Sequence, residues 1–453
     1  MRNKIAFLIA GDILLSVVAI YAGSFVRFER VAALPLLIEY EGFKILFFIV
    51  VVTLVSYFVE LYDPNNNTCM KAILSRVAIG VVVSFVILSS FYYLMPFLMF
   101  GRGVFAVSLC LFGILQFWGH TGYKLLLNLP GIATRVLVVG TGPLAKQIGK
   151  LILTTNHYHV LSGYVDCTSE QVYVPMDSVV SNGKELEETV KREKADKIVV
   201  SLSERRGLIP LKDLLNCKLS GIEVVDAPSF YEQLTGKLLL ENITPGWLIF
   251  SEGFRITSLL RAGKRIIDLI LSTIGLVVVL PLIPVIAIVI RLDSPGPVFF
   301  RQVRVGEREK NFTLYKFRSM GQDAESKTGA VWAQKDDSRV TKVGKFLRKS
   351  RLDEIPQLYN VFKGDMSFVG PRPERPEFVE KLKDIIPYYS ERHFVKPGIT
   401  GWAQVKYSYG STVEDAIEKL RYDLYYIKNL SLFLDLLIVV DTTKVVLFGR
   451  GAR

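Results

Sequence analysis

Four apolar stretches crowd the first 125 residues, and they constrain the chain more than any other feature. Residues 5–26 (IAFLIAGDILLSVVAIYAGSFV) are apolar apart from Asp12. A helix of that length, rising 1.5 Å per residue, spans a ~30 Å hydrocarbon core. Further apolar runs occupy roughly 43–59, 77–99 and 104–119, with short connections. No A-x-A-like cleavage site follows the first run, so it reads as a span, not a removed signal. Four spans return the chain to its starting side. Arg2 and Lys4 before them, and Lys124 and Arg135 after them, put both ends in the cytoplasm, while Arg27 and Arg30 weaken the bias. Asp12 is costly in lipid. It lies close enough to the N-terminus to reach headgroups or to pair between helices, and no role is assigned to it.

Composition separates this chain from both ordinary soluble enzymes and pure membrane bundles. Half of its 453 residues are apolar, 22% are charged, and the mean hydropathy is +0.34. The same figures exclude disorder and disulfide scaffolds. Cys69, Cys110, Cys167 and Cys217 are scattered with no CxxC, which argues against zinc. The net charge of +12 is uneven: +3 over 1–133, −1 over 134–257 and +10 over 258–453. The last section therefore expects an anionic partner: phosphates, an anionic membrane surface or nucleic acid.

From Thr134 a strand-forming run enters Gly140-Thr141-Gly142-Pro143-Leu144-Ala145 and then a helical pattern. This resembles the GxGxxA turn of a dinucleotide-binding, Rossmann-like unit. Strand-like runs at 161–166, 195–202 and 221–227 alternate with helical stretches near 184–194 and 209–219, giving a small parallel sheet. Asp166 ends the second strand, where it either meets a ribose hydroxyl or simply closes the strand. A lone GxGxxA is weak evidence for a cofactor, and a regulatory or dimerising module fits equally.

Residues 266–290 are apolar and long enough to span, but Pro281 and Pro284 interrupt them. A kinked span and a helix that breaks and returns to the same face both satisfy the pattern. Re-entry keeps Lys264 and Arg291 on one side and is the favoured reading. Freed carbonyls near Pro281 then need partners; Ser272 and Thr273 lie some way back along the helix.

Between 293 and 402 the chain becomes glycine- and proline-punctuated and dense in Arg and Lys. Asp353 and Glu354 are adjacent acids in a basic run with Arg348, Lys349 and Arg351. Neighbouring guanidinium groups are expected to keep both carboxylates ionised. On a helix, adjacent residues point about 100° apart, so one carboxylate can attack while its neighbour holds a metal. Taken alone, such a pair is equally a solvated ion-pair network.

The remaining motifs make the resemblance specific. Lys264-Arg265-x-x-Asp268, Ser294-Pro-Gly-Pro-Val-Phe-Phe-Arg-Gln302 and Lys316-Phe-Arg318-Ser-Met320 come first. Asp353-Glu-Ile-Pro-Gln357, Gly364-Asp-Met-Ser-Phe-Val-Gly-Pro-Arg372-Pro373 and Lys396-Pro-Gly-Ile-Thr-Gly401 follow in order. From about Lys264 onward the chain resembles the bacterial sugar transferase family, the monotopic polyprenyl-phosphate phosphoglycosyl transferases. The earlier sections resemble the family's long form more loosely. Ser251-Glu-Gly-Phe254 and the general layout look like members associated with exopolysaccharide export.

That resemblance implies three sections: a four-helix membrane bundle over 1–125, a Rossmann-like (CoA-binding-like) cytoplasmic α/β domain over 134–250, and a mixed α/β monotopic catalytic domain over 258–453, with 266–290 re-entrant. It implies transfer of a sugar 1-phosphate from a UDP-sugar to undecaprenyl phosphate, with release of UMP. Asp353 would be the nucleophile, carrying an aspartyl-phosphosugar intermediate, and Glu354 would hold Mg²⁺. Arg348, Arg372, Arg318, Lys264, Arg265 and Asp268 are the implied substrate-binding residues. A plainer account of Lys264 and Arg265 is membrane anchoring, with Asp268 paired to Arg265 at i,i+3. The implied setting is the bacterial inner membrane, with the catalytic domain cytoplasmic. The lipid bilayer, a homodimer partner and downstream glycosyltransferases are the expected associates, and nucleic acid is not. The apolar stretch 430–448 fits an interfacial helix or a core helix.

Two other readings remain. One is a membrane-anchored nucleotide-sugar dehydratase or epimerase, for which Tyr359 and Lys363 have a Tyr-x-x-x-Lys spacing, far from Gly140. The other is a scaffold without chemistry in a polysaccharide export complex.

Overall fold

The computed structural model describes residues 2–28, 34–62, 70–99, 101–127, 133–155, 159–167, 171–183, 185–201, 210–243, 245–251, 253–321, 339–407, 410 and 412–447. The chain separates into two units, Met1–Leu234 and Thr235–Arg453.

The first unit begins with four long helices: α1 (Arg2–Phe28), α2 (Leu34–Phe58), α3 (Met70–Leu94) and α4 (Arg102–Leu127). Their shared interior holds Ala19, Ile20, Phe48, Val52, Leu88 and Phe112, all buried. Leu14, Leu46, Val82 and Ile114 point outward and exposed. A bundle that is apolar on both its inner and outer faces is built for lipid. Ala6–Val26, Ile73–Leu94 and Arg102–Tyr123 are each long and apolar enough to cross a membrane; the described apolar part of α2, Gly42–Phe58, is shorter. Asp12 takes the second course open to it, pairing between helices. Its Oδ2 accepts from Tyr62 OH (2.8 Å) and Gln116 Nε2 (2.5 Å), and His120 Nε2 lies 3.2 Å from Oδ1. Gln116 also reaches Ser56 on α2, at 2.9 Å. Lipid offers a carboxylate no water, so the bundle supplies the donors.

A five-stranded sheet follows. Its strands are β1 (Thr134–Val139), β2 (His159–Val165), β3 (Val179–Ser181), β4 (Lys197–Val200) and β5 (Glu223–Asp226), in spatial order β3-β2-β1-β4-β5, all parallel. Helices α5 (Pro143–Thr155), α6 (Leu186–Arg192) and α7 (Leu211–Leu219) make the crossovers, and α8 (Ala227–Thr235) follows β5. Leu137, Val139, Val165 and Ile198 are buried in one core, as the inner strands of a covered parallel sheet require. Gly140 turns from β1 towards α5 at φ +118°, a conformation that favours glycine. Asp166 lies just past β2 and accepts from Thr141 Oγ1 at 3.1 Å. The edge strand β3 is an addition to the expected runs; it has only three residues.

The second unit opens with α9 (Pro245–Phe250), α10 (Ser258–Val279) and α11 (Leu282–Asp293). Glu252, within the Ser251–Phe254 motif, lies outside the described residues. Thr257 caps α10 by accepting from Leu260 N at 3.2 Å. The axes of α10 and α11 differ by 62° across the break at Pro281. Pro284 falls in the first turn of α11, where its missing N–H leaves no helical bond unmade. Ile270, Ile274, Val277, Leu280, Val285 and Ile288 are exposed on this bent pair. Ser272 Oγ bonds Leu269 O at 3.2 Å, within its own turn, so it does not serve the carbonyls at the bend.

An antiparallel hairpin of β6 (Phe299–Val305) and β7 (Asn311–Phe317) precedes α12 (Lys342–Lys349), a 3₁₀ turn over Leu352–Glu354, and α13 (Gln357–Lys363). Then come β8 (Ser367–Val369), α14 (Pro376–Ile385), β9 (Gly398–Thr400), α15 (Trp402–Lys406), α16 (Val413–Lys428) and α17 (Leu432–Leu447). The main core gathers Val305, Val369, Leu382, Tyr389, Leu420, Leu424, Tyr426 and Ile438. Helix α17 divides the two expectations for it: Ile438 is wholly buried, whereas Phe433 and Leu436 are exposed.

Candidate active site

The glycine-rich motifs cluster because backbones must touch. β8 and β9 pair in parallel, Ser367 with Gly398 and Val369 with Thr400. Gly370 N donates to Thr400 O and Gly398 N to Pro371 O, both at 2.9 Å. A Cβ on Gly370 would stand 2.3 Å from Lys396 O, and one on Gly398 would stand 2.1 Å from Gly370 N. Only glycine fits such an approach. The Gly364–Pro373 and Lys396–Gly401 motifs are thus one structure, which delivers Arg372 from the end of β8.

The acidic pair arrives on the short 3₁₀ turn after α12. Arg351, in the left-handed conformation at φ 59°, turns the chain into it. Asp353 and Glu354 are 7% and 8% exposed. Glu354 collects the cations. Its Oε1 accepts from Lys316 Nζ at 3.0 Å and Arg372 Nη2 at 2.8 Å, while Arg351 Nη1 lies 3.7 Å from Oε2. Asp353, by contrast, accepts no hydrogen bond and forms no ion pair among the described residues. No described residue occupies its lone pairs, which lie buried near Lys316, Arg348 and Arg372.

The neighbouring cations act unequally on the two acids. Burial raises Glu354, but Lys316, Arg372 and Arg351 outweigh it and hold the carboxyl well below the usual range. Burial raises Asp353 as well, and there the raising influences, including the Glu354 charge, prevail over Lys316, Arg348 and Arg372. The reason is distance: the direct cation contacts all go to Glu354. Lys316 is itself pushed down by burial, against the pull of Glu354.

The other expected residues divide. Arg372 is in the cluster and is steadied by Gln404, whose Oε1 accepts from Nη1 at 2.9 Å. Arg348 lies beside it, donating through Nε to Ser319 Oγ at 2.9 Å. Arg318 instead braces the end of α11, donating to Pro295 O (2.9 Å) and Ser294 O (2.6 Å). Lys264 Nζ is bound to Asp435 Oδ2 at 2.6 Å and Tyr426 OH at 3.1 Å. Arg265 caps the C-terminus of α13, donating to Val361 O and Phe362 O at 2.7 Å each. Asp268 accepts from Ser367 Oγ (3.0 Å) and Phe368 N (2.8 Å). The i,i+3 pair of Arg265 with Asp268 is therefore not formed. Both residues reach across instead and pin α10 to α13 and β8.

Residues 259–449 match the family model described as bacterial sugar transferase. The UDP-N-acetylgalactosamine-undecaprenyl-phosphate N-acetylgalactosaminephosphotransferase of Aeromonas hydrophila is 45% identical over 241 residues, 53% of this chain and 56% of that protein. The exopolysaccharide production protein PSS of Rhizobium leguminosarum bv. phaseoli is 40% identical over 184 residues, 40% of this chain but 92% of that protein. The chain belongs to the bacterial sugar transferase family. The undecaprenyl-phosphate glucose phosphotransferase of Komagataeibacter xylinus is similar over a longer stretch, 32% identical across 71% of this chain and 60% of that protein. The match thus spans little more than half the length of the Aeromonas and Komagataeibacter relatives.

Two members of this sugar transferase's cluster were not singled out from sequence: Lys316 and Gln404. Lys316 stands in the Lys316–Met320 motif, and its basic side chain near the end of a strand was the available signal. Gln404 gave none, because only the pairing of β8 with β9 brings it to Arg372.

Proposed function

We propose that this sugar transferase moves a sugar 1-phosphate from a UDP-sugar to undecaprenyl phosphate, the first membrane step of exopolysaccharide, O-antigen or capsule assembly. The observation that carries the reading is the division of labour in the acidic pair: Glu354 takes the cation contacts, and Asp353 takes none among the described residues. The activities for which the Aeromonas and Komagataeibacter relatives are named supply the donor and acceptor classes.

The Asp353 carboxylate attacks the sugar-bearing phosphorus of the donor. The bond from that phosphorus to the bridging oxygen breaks, and UMP leaves with the oxygen. The acyl phosphate so formed keeps a high transfer potential. A phosphate oxygen of the polyprenyl acceptor then attacks the same phosphorus and releases the carboxylate. Kinetics are ping-pong. Lys316 and Arg372 are preorganised by Glu354 to face charge that develops on phosphoryl oxygens. The planar fork of Arg372 suits two oxygens at once. Arg348, held on Ser319, adds positive potential beside Asp353.

Mg²⁺ takes one or two carboxylates and completes its shell with phosphate and water. The site offers that donor set: Glu354 Oε2 carries only the longer Arg351 contact, and Asp353 stands beside it. Glu354 and Asp353 are the residues that would hold the ion, which when bound neutralises phosphate charge. Among the described residues no group of three metal-ligating side chains forms an all-protein cage.

Four spans in the first unit and a re-entrant α10–α11 would keep this site on the cytoplasmic face of the inner membrane, where nucleotide sugars are. The 62° bend and the apolar exposure of both helices support the second point. The β3-β2-β1-β4-β5 order and the Gly140 turn support a Rossmann-like descent for the sheet. The test is incubation with UDP-sugars labelled in the β-phosphate, followed by mass spectrometry of the Asp353 peptide. An adduct that polyprenyl phosphate discharges is expected. UMP release without any adduct overturns the covalent route.

A further inference from the structure

Helix α12 has two faces with opposite partners. Val343 and Leu347 pack inward, in a cluster with Ile283, Ile286 and Ile290 of α11 and Phe317 of β7. Gly344 lets the helix press against Ser319, whose carbonyl oxygen would lie 2.0 Å from an added Cβ. Asp293 Oδ2 accepts from Val343 N at 3.1 Å and ties the start of α12 to the end of α11. The outward face reads Lys342, Lys345, Phe346 and Lys349, at i, i+3, i+4 and i+7, all exposed. Phe346 is 65% exposed. None of the three lysines forms an ion pair among the described residues. At the adjoining end of α11, Arg291 and Leu292 are exposed too.

Nothing among the described residues explains that face. The first turn of α12 holds no acid and carries Lys342, against the sense of the helix dipole. A bare phenylalanine ringed by lysines is poorly suited to water. It suits the boundary of a bilayer, where the ring enters the acyl edge and ammonium groups meet headgroup phosphates.

We infer that α12 is a lipid-contact element that docks on anionic phospholipid headgroups and fixes the depth of the neighbouring active site. The inference rests on the reading that α10–α11 dips into the same leaflet, because α12 is packed along α11. Two residues beyond α12 the chain turns at Arg351 and delivers Asp353. Docking of the helix therefore sets the level at which Asp353 meets a phosphate on a lipid. Three lysines near an anionic surface favour the docked state by roughly 100-fold. The effect fades with salt, because exposed charges are screened.

The test uses the full chain, with its four cysteines replaced by serine, in nanodiscs of phosphatidylcholine alone or with 30 mol % phosphatidylglycerol. Nitroxide labels are placed at Phe346→Cys and, separately, at Val278→Cys near the bend. Expected is a label at 346 shielded from a water-soluble relaxant in anionic discs. It returns to water in neutral discs, in 0.5 M salt, and in Lys342→Gln/Lys345→Gln/Lys349→Gln. Turnover by the unlabelled wild type rises at least about fivefold with the anionic lipid, and the triple variant stays flat. A label at 346 equally exposed in both discs, or equally shielded in both, overturns the inference. The Val278 label separates the two readings. If it lies in lipid while 346 stays in water, α12 alone has been misassigned; if it lies in water, the re-entrant reading has failed as well.

Discussion

Two buried carboxylates make an instructive pair: Asp12 in the helical bundle and Glu354 in the second unit. Both sit out of water and both accept hydrogen bonds. Asp12 is met by neutral or titratable donors, Tyr62, Gln116 and His120, from other segments of the bundle. Glu354 is met by three basic side chains, Lys316, Arg351 and Arg372. Donors such as those around Asp12 satisfy a polar atom and bind helices together. Cations such as those around Glu354 exceed what one carboxylate needs, and on the proposed function the surplus would face a phosphorylated ligand. The sum of charge around a buried acid, not its burial, separates a structural contact from a chemical one.

If that distinction holds, the largest effect belongs to the acid next to Glu354 that keeps its lone pairs free. Asp353→Asn should reduce UMP release by at least about 1,000-fold with the protein still folded and membrane-bound. A variant within tenfold of wild type would remove Asp353 from the chemistry. Glu354→Gln comes next, with a loss of about 100-fold or more, because Lys316 and Arg372 lose their anchor. It should also cost stability with a definite pH dependence. A carboxyl lowered on folding contributes stability above its unfolded value near 4.3, and that contribution disappears as pH falls through the folded value. Wild-type and Glu354→Gln melting temperatures should therefore differ at neutral pH and converge on acidification. A gap that widens in acid would reverse the assigned sign.

Lys316→Met sharpens the comparison through Asp353. Burial raises that carboxyl and Lys316 lowers it. Only the ionised form attacks, so adduct formation in a single turnover should fall tenfold per pH unit below its midpoint. Removal of the ammonium should move that midpoint to higher pH and cost about 100-fold at neutral pH. An acid limb that stays fixed or moves down would show that Lys316 does not act on Asp353.

Asp268 tests the structural side within the second unit. Asp268→Ala leaves Ser367 Oγ and Phe368 N without their acceptor and should destabilise by about 2–3 kcal/mol, read from thermal unfolding. Loss of turnover at full stability would instead return Asp268 to the substrate.

These residues also mark how far the sequence is legible. The apolar runs located all four bundle helices, and the prolines located the break at 281, because chain length and a missing N–H act locally. The parallel sheet was readable from its alternation of strand and helix, apart from β3, which is too short to carry a pattern. The acidic pair stood out for its composition. The partners of Lys264, Arg265 and Asp268 did not. Each lies about 100 residues or more away in sequence, at Asp435, Val361 and Ser367, and no local periodicity encodes such a contact. The split between Asp353 and Glu354 was hidden for the same reason, since it depends on where Lys316 and Arg372 come to rest.

Asp12→Asn is the smallest expected effect and the most direct trial of the opening contrast. Asparagine keeps one oxygen for the Tyr62 and Gln116 donors. In place of the second it puts an amide N–H, which His120 can accept by changing tautomer. Hydrogen bonds between membrane helices average well under 1 kcal/mol when measured by cycles, since the separated helices find other partners. The substitution should therefore cost about 1 kcal/mol or less in thermal unfolding and leave turnover within about twofold. A tenfold loss of turnover in a bundle that melts like the wild type would make the Asp12 charge functional despite its neutral surroundings, and counting cations would then no longer tell the two kinds of buried acid apart.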